Sequence, residues 1–342
     1  MTYKKGAVNL KKKTYDVRTN TIDVVVHGAR GSVGGVMSNS QRGVRGRGDV
    51  SLVRRSGASL VVMSLVTGGA LFSLGTSASA SSKASPSSMV PAKIRATGNL
   101  SDMVNSPYTP MEYQAAAGGA IVGFDIDVAT ALAKELKLKL VVTNTPNFAE
   151  LIPAVESSRT DIVDSSVIDL TSRHGSIHFV DDFVTGTQFL GLNSSSSTLK
   201  SNSSLCGKTV ALQSGTSYAA QIATLSKSIC PSKKPISTIS VTSPPEQQTQ
   251  VQIGRAVALA QGPEINGALE LSQKGKWHVI GKTFNVLDYG IMFNKNDTQL
   301  GKAIQAGLNV LIKNGTYNKI LVKWHLSGDG VKAATIDKGG NG

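Results

Sequence analysis

The sequence predicts an α/β protein, and three observations carry this prediction. The chain of 342 residues is 40% hydrophobic and 17% charged, which is too apolar for an intrinsically disordered protein. From Lys93 onward, strand-like hydrophobic runs alternate with segments of helical periodicity. Much of the formal net charge of +14 lies outside this region, because residues 1–80 hold 12 Lys/Arg and 3 Asp. The charge therefore describes mostly a leader and does not indicate a nucleic-acid-binding protein.

Residues 54–80 have the features of a signal peptide. Arg54 and Arg55 precede an uncharged, largely apolar run over 58–74, and the run is followed by small residues ending at Ala80. The run is at the short end for a membrane span, which needs about 20 residues. We therefore predict cleavage after Ala80, with an uncleaved N-terminal anchor as the alternative. The chain is expected to be exported, to the periplasm or to the cell surface, by the Sec or the twin-arginine route.

Two segments that flank the leader are predicted to lack regular structure. Residues 1–53 form a basic extension that we expect to be absent from the mature protein. Residues 81–92 are rich in Ser and Pro and show no hydrophobic pattern, as is typical of a flexible linker. At the other end of the chain, residues 327–342 are predicted to form a disordered tail.

The clearest helix is predicted over Asp125–Leu138, where apolar residues repeat at i, i+4 and i+8 from Val128 and acidic residues fall in the first turn. In chain order, the other predicted elements are a strand at Leu140–Val142, a helix at Phe148–Val155, strands at Asp161–Val163 and Lys208–Leu212, a helix from about Ser217, strands at Gly254–Ala260 and His278–Gly281, and helices at Leu300–Lys313 and Tyr317–Trp324. Asn314-Gly315 is a good signal for the end of the penultimate helix.

The two cysteines of the chain, Cys206 and Cys230, are expected to form a disulfide bond. Paired cysteines are typical of exported proteins, whereas two free thiols would be the alternative. A bond that closes a loop of this size contributes about 3 kcal/mol in a chain-entropy model. Because Cys206 precedes a predicted strand and Cys230 follows a predicted helix, the bond would close one β–α unit.

A series of short motifs follows these elements in a fixed order. They are Tyr108–Tyr113, Gly123–Asp127, Phe148–Val155, Asp161–Ser166, Arg173, Phe179–Phe183, Gly207–Ser217, Gly254-Arg255, Tyr289–Phe293, Asn314–Ile320 and Lys323-Trp324. In this order the chain resembles the extracytoplasmic solute-binding proteins of polar amino-acid ABC importers, the bacterial solute-binding protein family 3. The resemblance covers about residues 95–326. Each motif alone is weak, but their order is specific.

The resemblance implies a type II periplasmic-binding-protein fold, in which two lobes are joined by two crossing strands and the ligand lies in the cleft between them. On this pattern lobe 1 comprises residues 93–190 and 285–326, and lobe 2 comprises residues 191–284. The implied function is to capture a small carboxylate-bearing solute, such as an amino acid, by hinge closure and to deliver it to a membrane permease. We expect no cofactor and no metal ligands in this chain, and a monomer with no nucleic-acid partner.

The resemblance also assigns the ligand's carboxylate to residues of both lobes. Arg173 matches the family's carboxylate-binding arginine, whose planar guanidinium can donate two hydrogen bonds at once. Thr216 and Ser217 match the turn of the other lobe that donates to the same carboxylate at a helix N-terminus. A solvated arginine and a plain helix-capping serine are the alternatives.

Other positions of the family pattern contact the rest of the ligand. Tyr108 and Phe148 match two aromatic rings that enclose the ligand's side chain, although ordinary packing would explain them too. Ser165 and Ser166 match a polar pair that could equally be strand-end serines. The last two positions are Asn105, where some relatives contact the tip of the side chain, and Met111, which replaces a phenylalanine with a more adaptable wall.

One stretch of lobe 2 departs from the family pattern. The Asp that accepts a hydrogen bond from the ligand's ammonium group is replaced at Gln261 or Gly262. An uncompensated buried ammonium would cost several kcal/mol. Either Glu264, Asp164 or Asp169 therefore takes over this role, or the ligand is a carboxylate without an amine.

An enzyme on the same fold is the alternative hypothesis, because some relatives of this architecture are dehydratases of the cyclohexadienyl or arogenate type. Such an enzyme needs a general acid in the cleft, and Glu112, Asp164 and Asp169 are the available residues. The usual nucleophile–base signatures do not occur in the sequence. We therefore predict a binding protein and no enzyme.

The histidines of the mature region show no metal-ligand spacing. They are predicted to be surface residues or hydrogen-bonded structural residues: His174, His178 and His278.

Overall fold

The computed structural model describes residues 84–341, which contain both α-helices and β-strands. The predicted basic extension and signal peptide lie outside the described residues. Within the described range, no helix is both long enough and apolar enough to cross a membrane.

The described residues contain strands and α-helices that we number separately along the chain. The strands are β1 Asn99–Val104, β2 Tyr113–Gln114, β3 Ile121–Val122, β4 Lys139–Asn144, β5 Ile162–Val163, β6 Ile177–Leu192, β7 Thr209–Gln213, β8 Ser237–Val241, β9 Ala258–Gln261, β10 Trp277–Asn294 and β11 Gly330–Ile336. The helices are α1 Ala92–Thr97, α2 Phe124–Glu135, α3 Leu151–Glu156, α4 Tyr218–Ile229, α5 Pro244–Gln252, α6 Pro263–Ser272, α7 Thr298–Lys313 and α8 Thr316–Trp324.

Two long antiparallel strands, β6 and β10, run through the middle of the main sheet. They pair from Ile177 opposite Asn294 to Leu192 opposite Trp277. On one side the sheet continues through β5, β1 and β4, and on the other through β9, β7 and β8. On the first side, β1 pairs in parallel with β4 and with β5. On the second side, β7 pairs in parallel with β8 and with β9. The sheet therefore has two parallel-stranded halves that meet at β6 and β10.

The pairing of β6 and β10 is irregular midway along both strands. Its register shifts around Phe284 and Leu287, which pair with Thr187 and Thr185. Gly186 lies between these two threonines, and a Cβ there would be only 2.6 Å from Cγ2 of Thr283. A residue with a side chain at position 186 would therefore push the two strands apart at this point.

Helix boundaries follow from backbone geometry as well as from periodicity. Helix α2 ends at Glu135 rather than at the predicted Leu138, because Lys137 has a left-handed φ of 59° that a helix cannot contain. Helix α7 ends where Asn314-Gly315 predicts, with Gly315 at a φ of 80°. The predicted strand at Gly254–Ala260 begins only at Ala258, because Gly254 adopts a φ of 78° and the next two backbone N–H groups donate to the carbonyl oxygen of Gln250 in α5.

The predicted disulfide bond is confirmed. Cys206 and Cys230 are bonded, with their Cα atoms 5.4 Å apart. Cys206 lies before β7 and Cys230 lies at the end of α4. The bond therefore closes the strand–helix unit whose turn forms part of the site described below.

The prediction of a flexible linker over residues 81–92 is wrong for its described part. Residues Pro86–Met89 form a 3₁₀ helix, α1 begins at Ala92, and Val90 is fully buried. Val90 packs in the same core as Ile94 of α1. Met89 and Val90 are the isolated apolar residues of this Ser/Pro-rich segment, and two residues show no hydrophobic periodicity. Their packing against the core depends on neighbouring elements, so the local sequence does not predict it.

The prediction of a disordered tail over residues 327–342 is also wrong. Residues Gly330–Ile336 form β11, which pairs antiparallel with β6. Ala334 is buried there, and its backbone N–H donates to Oδ1 of Asn309 in α7 over 3.1 Å. The strand forms because β6 offers a long edge of unpaired backbone groups, a feature that the local sequence of the tail does not report.

Candidate functional site

A cavity lies at the carboxyl ends of β1 and β7, where parallel sheets commonly bind ligands. It is lined from both halves of the sheet by Asn105, Tyr108, Glu112, Phe148, Ser166, Ile168, Arg173, Gln213, Thr216, Ser217 and Tyr218. Seven of the nine residues predicted to bind ligand are in this lining. The structure therefore brings together positions that are more than 100 residues apart in the chain.

Two of the predicted ligand-binding residues do not line the cavity. The side chain of Met111 is fully buried, in the same hydrophobic core as Phe124 of α2, so it is not a wall of the site. Ser165 is fully buried, and its Oγ donates to Oε1 of Glu112 over 2.6 Å and accepts from the backbone N–H of Asn105. Ser165 therefore supports two lining residues from behind.

Arg173 ends the 3₁₀ turn Thr171–Arg173 and faces the cavity. Its Nη1 donates to the carbonyl oxygen of Ile168 over 2.6 Å, which fixes one edge of the guanidinium. None of the ion pairs in the described range includes Arg173. Burial lowers the pKa of Arg173 to about 10, and Asp169 nearby opposes this shift. The half-buried guanidinium is thus charged at neutral pH and available for an anion.

The turn between β7 and α4 faces Arg173 from the other half of the sheet. Gly215 has a φ of 81°, and a Cβ at this position would lie 2.9 Å from Cβ of Ala149. The hydroxyl of Thr216 donates to the carbonyl oxygen of Gln213 over 2.7 Å. Ser217 precedes the first residue of α4, whose N-terminal N–H groups favour a negative charge. The turn therefore adds donors to the site at close range.

A chain of tyrosine hydroxyls forms one side of the cavity. The hydroxyl of Tyr108 lies 3.2 Å from that of Tyr218 and 3.3 Å from that of Tyr289. Tyr289 in turn donates to Oε1 of Glu264 over 2.8 Å. Phe148, at the start of the 3₁₀ helix Phe148–Glu150, also lines the cavity. The aromatic part of the lining thus consists of Tyr108, Phe148 and Tyr218.

Asn105 connects the two halves of the sheet directly. Its Nδ2 donates to the carbonyl oxygen of Thr145 over 2.8 Å, and its Oδ1 accepts from Nε2 of Gln213 over 2.9 Å. Both side chains are buried and both line the cavity. Together with the contact of Tyr108 and Tyr218, this hydrogen bond joins the two sides across the cleft.

Glu112 supplies a carboxyl group to the lining, and Arg173 supplies a guanidinium. Burial raises the pKa of Glu112 well above its usual range, and the neighbouring carboxyl of Asp125 raises it further. Asp125 itself accepts a hydrogen bond from the hydroxyl of Ser166, a lining residue whose backbone has a left-handed φ of 49°. Both effects favour the protonated form of Glu112, whereas a positive charge nearby would favour its charged form.

The three acidic residues expected to replace the family's ammonium-binding Asp are not in the lining. Glu264 accepts from Tyr289 and, over 3.0 Å, from Thr185, so both of its oxygens have donors. Its carboxyl fills the space beside Gly262, where a Cβ would lie 1.8 Å from Oε1. Asp164 is buried behind the site, and Asp169 is in contact with His174.

Four lining residues had no predicted ligand role: Glu112, Ile168, Gln213 and Tyr218. The sequence suggests Glu112 only as a general acid of the alternative enzyme. Gln213 lies inside a recognised motif, and Tyr218 directly follows Ser217, so proximity to these motifs was the available signal. Which of their side chains faces the cleft depends on the ends of β7 and α4, and sequence spacing does not specify this.

Comparison with protein families gives one match that covers most of the described chain. The sequence profile of the bacterial extracellular solute-binding proteins, family 3, matches residues 102–327. The match ends before β11, so this last strand lies outside the part that the family shares.

Individual relatives have names that refer to amino acids. The arginine-binding protein ArgT of Corynebacterium glutamicum is 25% identical over 73% of this chain and 80% of its own length. The L-cystine-binding protein TcyJ of Escherichia coli K12 is 24% identical over 68% of this chain and 84% of its own. The structure is similar to that of a mutant of ArgBP from T. maritima, with a TM-score of 0.61 and 25% identity over 68% of this chain and 97% of the other.

Proposed function

We propose that this chain, which belongs to the bacterial extracellular solute-binding proteins of family 3, captures an amino acid and passes it to a membrane permease. It has the type II periplasmic-binding-protein fold of its structural relatives. It is the substrate-binding component of an ABC transporter rather than an enzyme, and it works outside the cytoplasm. The observation that carries the choice of ligand is that a guanidinium, Arg173, and a carboxyl group, Glu112, line the same cavity.

Arg173 is the proposed carboxylate-binding residue. Its guanidinium faces the cavity without an ion-pair partner among the described residues, opposite the N-terminal turn of α4. A carboxylate between them would accept two hydrogen bonds from the guanidinium and further ones from the turn. This arrangement uses donors of both halves of the sheet, so the anion itself favours their approach.

Glu112 is the proposed acceptor for the ligand's positive group. It is the carboxyl among the lining residues, whereas Glu264, Asp164 and Asp169 are engaged or buried elsewhere. A bound ammonium or guanidinium would favour the charged form of Glu112 and release its proton. An amino acid therefore matches the site better than a carboxylate without an amine, and the names of the relatives support this class.

Closure of the two halves around the ligand is the proposed mechanism. We place the hinge at the irregular pairing of β6 and β10 around Gly186, close to the lobe boundaries predicted from the family pattern. The hydrogen bond of Asn105 to Gln213 and the contact of Tyr108 with Tyr218 are those expected in a closed form. Since one chain supplies both sides of the cavity, a monomer is sufficient. We propose the periplasm or the cell surface as its location.

The test is calorimetry of the purified protein with arginine, glutamine, cystine and histidine. For the amino acid that binds best, Arg173→Ala is expected to weaken binding by about 100-fold, because two hydrogen bonds to a charged group are lost. Arg173→Lys retains the charge but not the planar pair of donors and is expected to bind with intermediate affinity. The exposed Arg159 provides the control variant Arg159→Ala.

Glu112→Gln extends the same experiment to the positive group. The unaltered protein is expected to release a proton on binding, so that its affinity rises with pH, and the variant is expected to lose this dependence. Unchanged affinity of Arg173→Ala for a carboxylate-bearing ligand would contradict the proposed site, and conversion of that ligand by the purified protein would favour the dehydratase alternative.

A further inference from the structure

Three side chains with metal-binding atoms meet close to the turn that carries Arg173. Nε2 of His174 lies 2.5 Å from Oδ1 of Asp169 and 3.9 Å from Oδ1 of Asp337. All three groups offer ligand atoms within 4.8 Å of one another. One cation could contact all of them after small side-chain adjustments, since bonds from zinc to nitrogen or oxygen are about 2.0–2.2 Å long.

The three groups come from separate segments whose orientation is fixed by further contacts. The other oxygen of Asp169 accepts from the backbone N–H of Gly339 over 2.8 Å. The other oxygen of Asp337 lies 2.6 Å from Nδ1 of His178, and its Oδ1 also accepts from the backbone N–H of Phe179. Outer contacts of this kind orient the ligands in metal sites.

One further carboxyl group, that of Asp181, lies next to this cluster. Asp181 is fully buried next to the same segment, and its Oδ2 accepts from the backbone N–H of Lys338. Its Oδ1 has no hydrogen-bond partner in the described range. The ammonium of Lys338 lies 2.6 Å from Asp288 and so is directed to a different carboxylate. Within the described residues, no lysine or arginine forms an ion pair with Asp169 or Asp337, so a bound cation would meet no competing ammonium or guanidinium there.

The cluster is open to solvent at one side. The side chain of Asp169 is fully buried, whereas those of His174 and Asp337 are 20% and 21% exposed. A hydrated cation can therefore reach the imidazole and the outer carboxylate first. None of the three residues lines the ligand cavity.

We propose that Asp169, His174 and Asp337 bind one divalent transition-metal cation, with Zn²⁺ the best match to one imidazole and two carboxylate ligands. A water molecule completes the coordination from the solvent side. His178 is a positioning residue that orients Asp337. This site does not depend on the proposed amino-acid function.

The consequence of metal binding would be a link between two parts of the chain. Asp337 follows β11, beyond the family-matched residues 102–327, and His174 directly follows Arg173. The cation would fasten the C-terminal segment to the turn of the carboxylate-binding arginine. A cation that binds the folded chain more tightly than the unfolded chain also raises its thermal stability.

The test uses the purified full chain without a polyhistidine tag, treated with a chelator and titrated with ZnCl₂ by calorimetry. We expect one Zn²⁺ per chain and a rise in the temperature of unfolding. His174→Gln and Asp337→Asn are each expected to weaken binding by more than about 100-fold, because the loss of a direct ligand should exceed the roughly 10- to 100-fold typical of outer contacts. His178→Gln is expected to weaken it by about 10- to 100-fold, as is typical of outer contacts. His278→Gln removes an imidazole elsewhere and should bind as the unaltered chain does.

A second measurement does not depend on any substitution. Co²⁺ added to the metal-free, unaltered chain is expected to give visible absorption bands of a site with nitrogen and oxygen ligands, and Zn²⁺ should displace them. The proposal is overturned if neither titration shows saturable binding at one cation per chain. It is equally overturned if His174→Gln and Asp337→Asn, folded by circular dichroism, bind Zn²⁺ as tightly as the unaltered chain.

Discussion

At the scale of single residues, burial decides the chemistry of the acidic side chains around the cavity. Glu264 has both oxygens hydrogen-bonded, yet burial raises its pKa to about 7, and the charge of Asp329 contributes in the same direction. Hydrogen bonds from Tyr289 and Thr185 only partly offset this shift. The carboxyl therefore stabilises the folded chain chiefly when it is protonated.

This state of Glu264 predicts how stability changes with pH. Because the pKa is higher in the folded chain than the ordinary 4.5, the folded state binds more protons between pH 4.5 and about 7. The stabilisation from protonated Glu264 is complete below pH 4.5 and is lost as the pH rises through about 7. The free energy of unfolding is expected to fall by about 3 kcal/mol in total over this range. Relative to Glu264→Gln, the unaltered protein should lose free energy of unfolding over this range.

Urea denaturation at a series of pH values measures this difference. Glu270→Gln, on the same helix α6, is the matched control. Parallel pH profiles for the unaltered protein and Glu264→Gln would contradict the prediction.

At the scale of secondary-structure elements, the last strand depends on contacts with α7. Oδ1 of Asn309 accepts from the backbone N–H of Ala334, and its Nδ2 contacts the carbonyl oxygen of the same residue over 3.4 Å. Gln305, one turn earlier on α7, donates to that carbonyl over 3.2 Å. Two side chains of α7 thus satisfy the edge of β11 that β6 does not pair.

Asn309→Ala is expected to destabilise the protein by about 1–3 kcal/mol, because it leaves the buried N–H of Ala334 without a partner. The free energy of unfolding in urea measures this loss. Gln299→Ala, at an exposed position of the same helix, should change it by less than about 0.5 kcal/mol. Equal losses for the two variants would show that the hydrogen bonds of Asn309 with β11 do not stabilise the protein.

At the scale of the whole molecule, the proposed function depends on the approach of the two halves of the sheet. Gly215 in the turn before α4 lies against Ala149 of the facing half, so closely that an added Cβ on the glycine would be 3.0 Å from Cα of Ala149. Neither residue lines the cavity. A larger side chain at this contact would therefore oppose closure without removing a ligand-binding group.

Ala149→Leu is expected to lower the affinity for the bound amino acid by at least about tenfold, since the closed form becomes less populated. It should also reduce the ligand-induced decrease in the radius of gyration measured by small-angle scattering. Ala96→Leu, on the exposed face of α1, is the control. Unchanged affinity together with unchanged contraction in Ala149→Leu would argue against closure at this contact.

The sequence by itself determined the features that depend on local pattern and on the order of motifs. Alternating periodicities predicted the α/β class, and the spacing of motifs predicted the family and the positions of Arg173, Tyr108 and Phe148 in the cavity lining. The pairing of Cys206 with Cys230 followed from their number and the expected export. The helices and strands can be predicted because burial of one face of each element leaves a periodic pattern of apolar residues in the sequence.

Only the tertiary structure decided which distant residues touch. It paired β11 with a strand about 150 residues earlier, buried Met111, and brought Glu112 rather than Glu264 to the cavity. It also brought Asp337 to His174. Such contacts leave no periodic trace, because they depend on how the chain returns to the same place in space and not on the composition of either segment.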